Sequence, residues 1–178
     1  MKDIEDEFQN VAREIHEGLA RLSWQQEAAA TRFFAFWSLR VRIAHSPIPD
    51  QTTNGVHGEP VAKDQQERLE KRGCAYVRSD QRMPGRFLSR LLIQMGIDSA
   101  VARLQGAAWA IVRTDDGEFI CPDTFGQLAA IPVTPTASRY LGDQDATIPR
   151  CEVARRNRLA QQSAKRYNIE RDFGACPL

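Results

Sequence analysis

The segment that most constrains the fold is residues 109–135, where β-strand patterning and turn chemistry occur together. Its first residues, 109–112, form a short run of aromatic and β-branched side chains, which is typical of a half-buried strand. Asp116-Gly117 follows, and this pair favours a tight hairpin turn because glycine accepts the positive φ that such a turn requires. We therefore expect residues 119–121 to return as a second strand paired with the first.

Prolines divide the rest of this segment. Pro122 cannot donate a hydrogen bond to a strand ladder, so it should end the second strand and leave Asp123 at the strand end. Residues 129–133 are expected to form a third strand, and Pro132 within them indicates a sheet edge or a β-bulge. Residues 138–141 add a fourth. The pattern predicts an antiparallel meander with one carboxylate at a strand end.

The chain before residue 106 has helical periodicity. Apolar residues recur every three or four positions from Ile4 to Leu22, which predicts an amphipathic helix. Residues 23–26 (Ser-Trp-Gln-Gln) match a capping box, so a second helix should follow over residues 24–44. The middle of that helix is aromatic nearly all round and is expected to be buried.

Residues 46–60 contain three prolines, two glycines and an Asn-Gly pair, which predicts a loop. Residues 61–72 should form a surface helix closed by Gly73. Pro84 opens a further helix, which Gly96 is expected to end, before a short helix capped by Asp98. The predicted buried face of this helix comprises Phe87, Leu88, Leu91, Leu92 and Met95.

A last helix is predicted to begin at Pro149 or Arg150 and to reach Ala164, with Val153, Leu159 and Ala160 inward. A short strand over 167–169 and a loosely held tail over 173–178 should follow. Altogether the sequence predicts one α+β domain over residues 1–178. Its mainly helical part, residues 1–105, packs on an antiparallel sheet and the C-terminal helix of residues 106–178.

Charge limits the partners. The 178-residue chain has a net charge of +1, which argues against an acidic nucleic-acid mimic and against a strongly basic nucleic-acid binder. Residues 1–17 hold six acidic and two basic side chains, whereas residues 150–172 hold seven basic and three acidic ones. Such opposed ends are either solvated helix faces or surfaces for a partner.

Cysteine spacing and hydropathy bear on cofactors and location. The four cysteines include no C-x-x-C pair and the three histidines lack metal-ligand spacing, so no metal or other cofactor is predicted. The acidic N-terminus lacks the pattern of a signal peptide, and no run approaches the roughly 20 apolar residues of a membrane span. We expect a cytoplasmic protein with reduced cysteines and no membrane association.

The second helix ends in Arg40, Arg42 and His45. Arginines at a helix end cap carbonyl groups or pair with acids, and they can also form a clamp for an anion or carboxylate. Asp123, next to Pro122, has the chemistry of a general base or metal ligand, although an aspartate there is also typical of an Asx-turn or cap. Asp123, His45 and Arg42 are therefore the catalytic candidates, and Arg40 and Arg42 are candidate binding residues.

The last helix supplies a second candidate binding surface. Arg155, Arg156 and Arg158 are predicted to point outward, where they could reach the phosphates of a nucleic acid or the acidic groups of another protein. The net charge of the chain gives nucleic-acid binding no support.

Several segments together resemble the domain of unknown function family 4238. They are Ile4-Glu5, the aromatic helix 33–42 ending in arginine, Trp109-Ala-Ile-Val, Phe119-Ile-Cys-Pro-Asp123, Ile131-Pro-Val-Thr-Pro135, and residues 153–157 with Ala164 and Tyr167. The chain departs from that family in lacking its opening His-Tyr-x-Pro region and in having Cys121-Pro122 where Thr-Ser is expected. The resemblance covers most of the chain and implies a fold, but the family has no settled activity to carry over.

Two functions from different classes remain. The first is a small non-enzymatic binding or inhibitor-type protein of a bacterium, phage or mobile element, acting through a protein partner or as a homodimer. The alternative is a hydrolase or nuclease-like enzyme whose site lies between the helix end at Arg40–His45 and Asp123. Nucleic-acid binding through the basic C-terminal helix is a weaker third.

Overall fold

Five helices frame a small sheet in the computed structural model, which describes residues 2–72, 74–124 and 129–178. The helices are α1 (Lys2–His16), α2 (Trp24–His45), α3 (Lys63–Lys71), α4 (Gly85–Arg103) and α5 (Arg150–Ser163). The strands are β1 (Gln51–Thr52), β2 (Arg82–Met83), β3 (Trp109–Arg113), β4 (Cys121–Pro122), β5 (Ala130–Thr134), β6 (Ala137–Leu141), β7 (Ala146–Thr147) and β8 (Asn168–Ile169). A 3₁₀ helix, Phe173–Ala175, lies near the end of the chain. The architecture is α+β, as predicted.

Helices α1 and α2 pack through the stripe that the sequence indicates. Phe8, Val11 and Ile15 are buried, and the Phe8 ring stacks on Phe33 with centroids 4.0 Å apart. Helix α1 ends at His16, short of the predicted Leu22, because the chain turns at Gly18, whose φ is +104°. The capping box is confirmed: the Ser23 hydroxyl accepts from the N–H of Gln26, and the Gln26 side chain bonds back to the N–H of Ser23.

The main sheet has the strand order β5-β6-β3-β7, and β3 lies in its interior. Strand β3 is antiparallel to β6 and parallel to β7, so both of its edges are occupied. The predicted hairpin between β3 and residues 119–121 is therefore wrong. Gly117 does adopt a positive φ of +101°, but the chain then crosses to Pro135, whose carbonyl accepts from the N–H of Phe119 at 2.7 Å.

The sheet's hairpin is instead formed by β5 and β6. Pro132 lies on edge strand β5, beside an irregularity of register between Pro132 and Thr134. Both expectations for this proline are confirmed, because an edge strand does not require the N–H that proline lacks. Strand β4 pairs with β8, so Cys121-Pro122 joins the chain after α5 rather than the meander.

Helix α4 is longer than predicted and is rotated relative to the predicted orientation. It runs through Gly96 without a break, and its buried residues are Gly85, Ile93 and Ile97. A Cβ at Gly96 would lie 2.7 Å from Cδ1 of Leu39, so this glycine permits the close approach of α4 to α2 and does not end the helix. Phe87 and Leu88 are half-buried, but Leu91, Leu92 and Met95, predicted to be buried, are exposed.

The C-terminal part holds together through polar contacts. Helix α5 buries Val153 and Ala160 as predicted, whereas Leu159 is exposed. The tail is not loose: Cys176 is buried, and the carbonyl of Ala175 accepts from the N–H of Glu118 at 2.8 Å.

Gly73, the predicted stop of α3, lies outside the described residues. Within the described ranges, no helix combines the length and apolar character needed to cross a bilayer.

Candidate functional site

Three of the predicted site residues meet at one cleft. A depression of about 230 Å³ lies between the C-terminal half of α2, the residue that follows β4 and the segment that precedes β8. Its lining includes Arg40, His45 and Asp123, together with Arg166 and Tyr167. The sequence therefore indicated which chain segments border this cleft. It did not indicate the contacts that each side chain makes there.

Asp123 acts as a backbone anchor. It is 5% exposed, and its Oδ1 and Oδ2 accept the N–H groups of Lys165 and Arg166 at 2.8 and 3.0 Å. Its own N–H donates to the carbonyl of Tyr167 at 3.1 Å, and its carbonyl accepts from Nε1 of Trp37 at 3.2 Å. One aspartate thus joins β4, α2 and the segment that follows α5. Its carboxylate accepts backbone N–H groups as a helix-capping residue does, but the groups belong to a segment that is distant in sequence.

The other groups at the end of α2 do not converge on Asp123. Nδ1 of His45 donates to the carbonyl of Val41 within the same helix at 2.9 Å. Nε2 of His45 is buried and has no hydrogen-bond partner among the described residues. Arg40 pairs with Glu5 at 3.0 Å, and Arg42 borders a different depression, between α2 and α4. Among the described residues, the hydrogen bonds of His45 and Arg40 are therefore to groups other than the Asp123 carboxylate.

The arginines of α5 are paired with acids. Arg155 bonds to Glu152 through Nε and Nη2 at 2.8 and 2.7 Å. Arg156 pairs with both Glu152 and Asp143, and its guanidinium lies 4.0 Å from the ring centroid of Tyr140. The prediction that Arg156 points outward is wrong, because its side chain is only 11% exposed. Hydrogen bonds from Arg155, and then from Arg156, lower the pKa of Glu152 to about 2, although burial opposes the shift.

Arg158, the third candidate of this helix, is exposed, and no ion pair involving it occurs among the described residues. Of the three candidate arginines of this helix, Arg158 is therefore the one without an ion pair among the described residues. Arg155 and Arg156 are already neutralised by Glu152 and Asp143.

The sequence did not single out Arg139, a fully buried cation on β6. Its Nη2 donates to the carbonyl of Trp109 at 2.8 Å, and its guanidinium lies 5.7 Å from the indole centroid. Burial lowers the pKa of Arg139 to about 10, and the charges of Glu27 and Asp145 oppose that shift. Arg139 thus links β6 to β3, and its Nε and Nη1 are buried without a hydrogen-bond partner among the described residues.

The most unusual surface of the molecule lies on α4. Leu91, Leu92 and Met95 are exposed by 56%, 45% and 56%, and the half-buried Leu88 continues their line. We call these four residues the α4 ridge. Their spacing of three, four and seven positions places them on one side of the helix, opposite the side that carries Ile93. The other exposed large apolar residues of the described chain are dispersed, apart from Tyr167 and Ile169.

A groove of about 460 Å³ runs beside the α4 ridge, between α4 and α2. We call it the α2–α4 groove. Gly96 forms part of its floor, since no side chain separates the two helices there. Arg42 and Arg103 supply its charged groups, and its other lining residues are Phe34, Ala35, Ser38, Leu39, Ala100 and Leu104. Leu92 of the ridge is one helical turn from Gly96 of the groove, so the two surfaces lie on neighbouring sides of α4.

Sequence periodicity could not have found the α4 ridge, because α4 carries apolar residues on both sides. A helix that is apolar nearly all round is either buried or in contact with something on each side. Here one side contacts α2, and the other is exposed.

In residues 2–72, 74–124 and 129–178, no three His, Cys, Asp or Glu side chains lie close enough together to hold a metal ion. Comparison of the chain with protein-family models, with curated proteins and with solved structures finds no match. The resemblance to the domain of unknown function family 4238 stays a prediction.

Proposed function

We propose that the protein is a non-enzymatic binding module that contacts another polypeptide through the α4 ridge and the α2–α4 groove. The observation that carries this proposal is the exposure of Leu91, Leu92 and Met95 within five residues of one helix. Contiguous apolar surface of this kind is costly to leave in water and marks contact sites in monomeric and oligomeric proteins. Methionine suits such a surface, because its flexible thioether adapts to different partners.

The state of the predicted catalytic groups supports a function without catalysis. The contacts that the structure gives to Asp123 and His45 are with backbone groups and not with one another. Both oxygens of Asp123 already accept backbone N–H groups, and His45 bonds to its own helix through Nδ1. Those contacts serve the fold, whereas the side chains of Leu91, Leu92 and Met95 stay exposed in the part of the chain that the structure describes.

The proposal includes a cytoplasmic location. The thiols of Cys74, Cys121, Cys151 and Cys176 are all unpaired, and this is the usual state of cysteines in a reducing compartment.

The experiment is site-specific photo-crosslinking in living cells. A photoreactive amino acid replaces Met95 in one strain and Leu159, an exposed leucine on α5, in the control strain. We expect a discrete covalent adduct from position 95 and none from position 159. The double substitution Leu91→Glu and Leu92→Glu should remove the adduct while leaving the circular dichroism spectrum unchanged.

Equal crosslinking at both positions, or none at position 95, would contradict the proposal. The comparison is matched, because both sites are exposed apolar positions on helices and differ in whether apolar neighbours surround them.

A further inference from the structure

We propose that the polypeptide bound at the α2–α4 groove is an acidic amphipathic helix, whose apolar side chains enter the groove and whose carboxylates pair with Arg42 and Arg103. This inference rests on the proposed function and names the chemistry of the partner for the same surface. Three properties of the groove support it: the sign of its charge, the separation of its two arginines, and the kind of side chain between them.

The charge of the groove is positive. Arg42 and Arg103 supply it, and no aspartate or glutamate is among the described residues of the lining. Both arginines are exposed, and neither guanidinium has an ion pair or hydrogen bond within the described part of the chain. Arg40, two positions before Arg42, instead pairs with Glu5 at 3.0 Å. Unpaired cations beside an apolar surface favour a partner with carboxylates, because complementary charges steer and orient association.

Helices α2 and α4 run antiparallel along the groove. The start of α4 lies beside the chain that follows α2, since a Cβ at Gly85 would be 2.0 Å from the carbonyl oxygen of Ile48. Further along both helices, Gly96 meets the side chain of Leu39. A residue that follows Leu39 on α2 is therefore displaced toward one end of the groove, and a residue that follows Gly96 on α4 is displaced toward the other.

The two arginines consequently lie at opposite ends of the groove. Arg42 is three residues after Leu39, and Arg103 is seven residues after Gly96. At the rise of an α-helix, their Cα atoms are roughly 15 Å apart along the groove, which a partner helix spans in about ten residues. Carboxylates roughly seven to eleven residues apart on one face of that helix reach both guanidinium groups.

The lining between the arginines favours a helix over an extended segment. Ser38 and the two arginines are the lining side chains that form hydrogen bonds, whereas Gly96, Ala100 and the other lining residues offer none. An extended segment buried there would leave backbone N–H and C=O groups unpaired, but a helix pairs its own. The ridges of a third helix also fit a groove between two packed helices.

The α4 ridge extends the apolar contact on the side of α4 next to the groove. Leu92 lies one turn before Gly96 and is 45% exposed. An amphipathic helix presents apolar residues at positions i, i+3, i+4 and i+7 to a partner. One such face therefore contacts the groove and Leu92 together, with its acidic residues at the edge that carries the arginines.

The first step of the test is a selection that does not favour either charge. Random peptides of about 16 residues, long enough for four helical turns, are displayed on phage and selected on the full-length protein. The Leu91→Glu and Leu92→Glu double variant removes peptides that bind elsewhere. We expect enriched peptides with leucine or phenylalanine at helical spacing and with aspartate or glutamate roughly seven to eleven positions apart.

The second step measures the most enriched peptide by fluorescence anisotropy. Arg42→Glu and Arg103→Glu should each weaken its binding about tenfold, because each replaces an attractive contact with a repulsive one. Arg90→Glu is the matched control: this arginine is exposed on α4 but does not line the groove, so its reversal should change affinity less than about twofold. The thermal transition of each variant checks its folding.

The decisive result comes from reversing the charge on both partners. A copy of the peptide with lysine at its acidic positions should bind the unaltered protein weakly. The same copy should bind the Arg42→Glu and Arg103→Glu double variant more tightly than the acidic peptide does. That exchange of preference is expected only if these two arginines face the acidic positions.

Three results would overturn the inference: enriched peptides that are neutral or basic, no enriched peptide, or a lysine peptide that does not prefer the double variant. The first also retains the proposed function, since the surface still binds a polypeptide. After either of the others, photo-crosslinking at position 95 decides the proposed function separately. A discrete adduct retains it, including an adduct with a second copy of this chain, and the absence of any adduct removes it.

Discussion

Two regions of this protein reverse the usual distribution of side chains, and they do so in opposite directions. Around α5, polar side chains are buried and bonded to the backbone: Asn157 is 1% exposed and Asp123 is 5% exposed. On the outer side of α4, large apolar side chains face water, with Leu91 and Met95 each 56% exposed. The first region joins segments that are distant in sequence. The second region has side chains that remain exposed among the described residues.

The contacts of a side chain, more than its residue type, show whether the fold accounts for it. A buried polar group must be bonded, so the bonds of Asn157 and Asp123 account fully for their presence. An exposed apolar side chain adds no hydrophobic stabilisation to the fold, so the exposure of the α4 ridge points to contact with another molecule. Asn157 and Asp123 are buried and bonded to the backbone, whereas Leu91, Leu92 and Met95 are apolar and exposed. Substitutions in the two regions should therefore differ in what they damage.

The largest effect is expected at Asn157. Its Oδ1 accepts the N–H of Ile120 at 3.0 Å, and its Nδ2 donates to the carbonyls of Glu118 and Pro177 at 2.9 and 3.0 Å. Asn157→Leu keeps the approximate volume but leaves these backbone groups unsatisfied, which should lower the free energy of unfolding by about 3 kcal/mol. Urea denaturation measures this loss.

Gln161→Leu, an exposed change on the same helix, is the control and should stay within about 0.5 kcal/mol of the unaltered protein. An Asn157→Leu variant of unaltered stability would mean that the tail and the segment before β4 are held by other contacts, and the contrast between the two regions would be lost.

A somewhat smaller loss is expected at Asp123. Asp123→Ala leaves the N–H groups of Lys165 and Arg166 without their acceptor and should cost about 2 kcal/mol. Asp123→Asn should recover part of that loss, because its single carbonyl oxygen can accept only one of the two N–H groups. Thermal denaturation of both variants, with the exposed Asp115→Ala as control, gives the ranking. Full stability of the alanine variant would return Asp123 to the candidates for chemistry.

Sequence reasoning succeeded at two places where local chemistry decides the structure, the start of α2 and strand β5. The capping box at Ser23 and Gln26 fixed the start of α2, and Pro132 indicated both the edge and the bulge of β5. A cap or a proline acts on residues within one turn or one strand pair, so its consequence is readable from neighbours alone. The α+β class followed from the same local patterns.

Long-range choices could not be predicted in this way. The turn at Gly117 was identified, but not that β3 would pair with β6 and β7, because strand partners depend on contacts that are distant along the chain. The orientation of α4 was mistaken since both of its sides are apolar, and periodicity cannot decide between two apolar faces. Asp123 was recognised as a possible cap residue, yet the N–H groups that it accepts lie more than 40 residues later.

Lowering the pH should remove the stabilisation that Glu152 gives the fold through its contacts with Arg155 and Arg156. The pKa of Glu152 is about 2 in the folded protein, below its ordinary value of 4.5, so this carboxylate stabilises the fold above about pH 4.5. That contribution is lost as the pH falls from about 4.5 to 2. Because the cluster lies at the surface and water screens it, we expect about 1 kcal/mol rather than the full value of the shift.

The measurement compares Glu152→Gln with the unaltered protein by urea denaturation between pH 7 and pH 3. The difference in stability should be present at pH 7 and shrink toward pH 3, and Glu17→Gln on the exposed turn after α1 serves as control. A difference that does not change with pH would assign the effect to packing against Arg156 rather than to charge.

The smallest effect on stability should come from the α4 ridge, although the effect on binding there is proposed to be large. Leu91→Glu and Met95→Glu should each change the free energy of unfolding by less than about 0.5 kcal/mol, because both side chains are already in water. Ile93→Glu, between them in sequence but on the side facing α2, should cost several kcal/mol, since it buries a charge without a partner. Dilute protein is required, because association would otherwise add to the measured stability. If Leu91→Glu proves as damaging as Ile93→Glu, the ridge is part of the core in solution, and the proposed function loses its foundation. If the two diverge as expected, nothing within the fold requires apolar residues at 91 and 95, and binding remains as the reason for them.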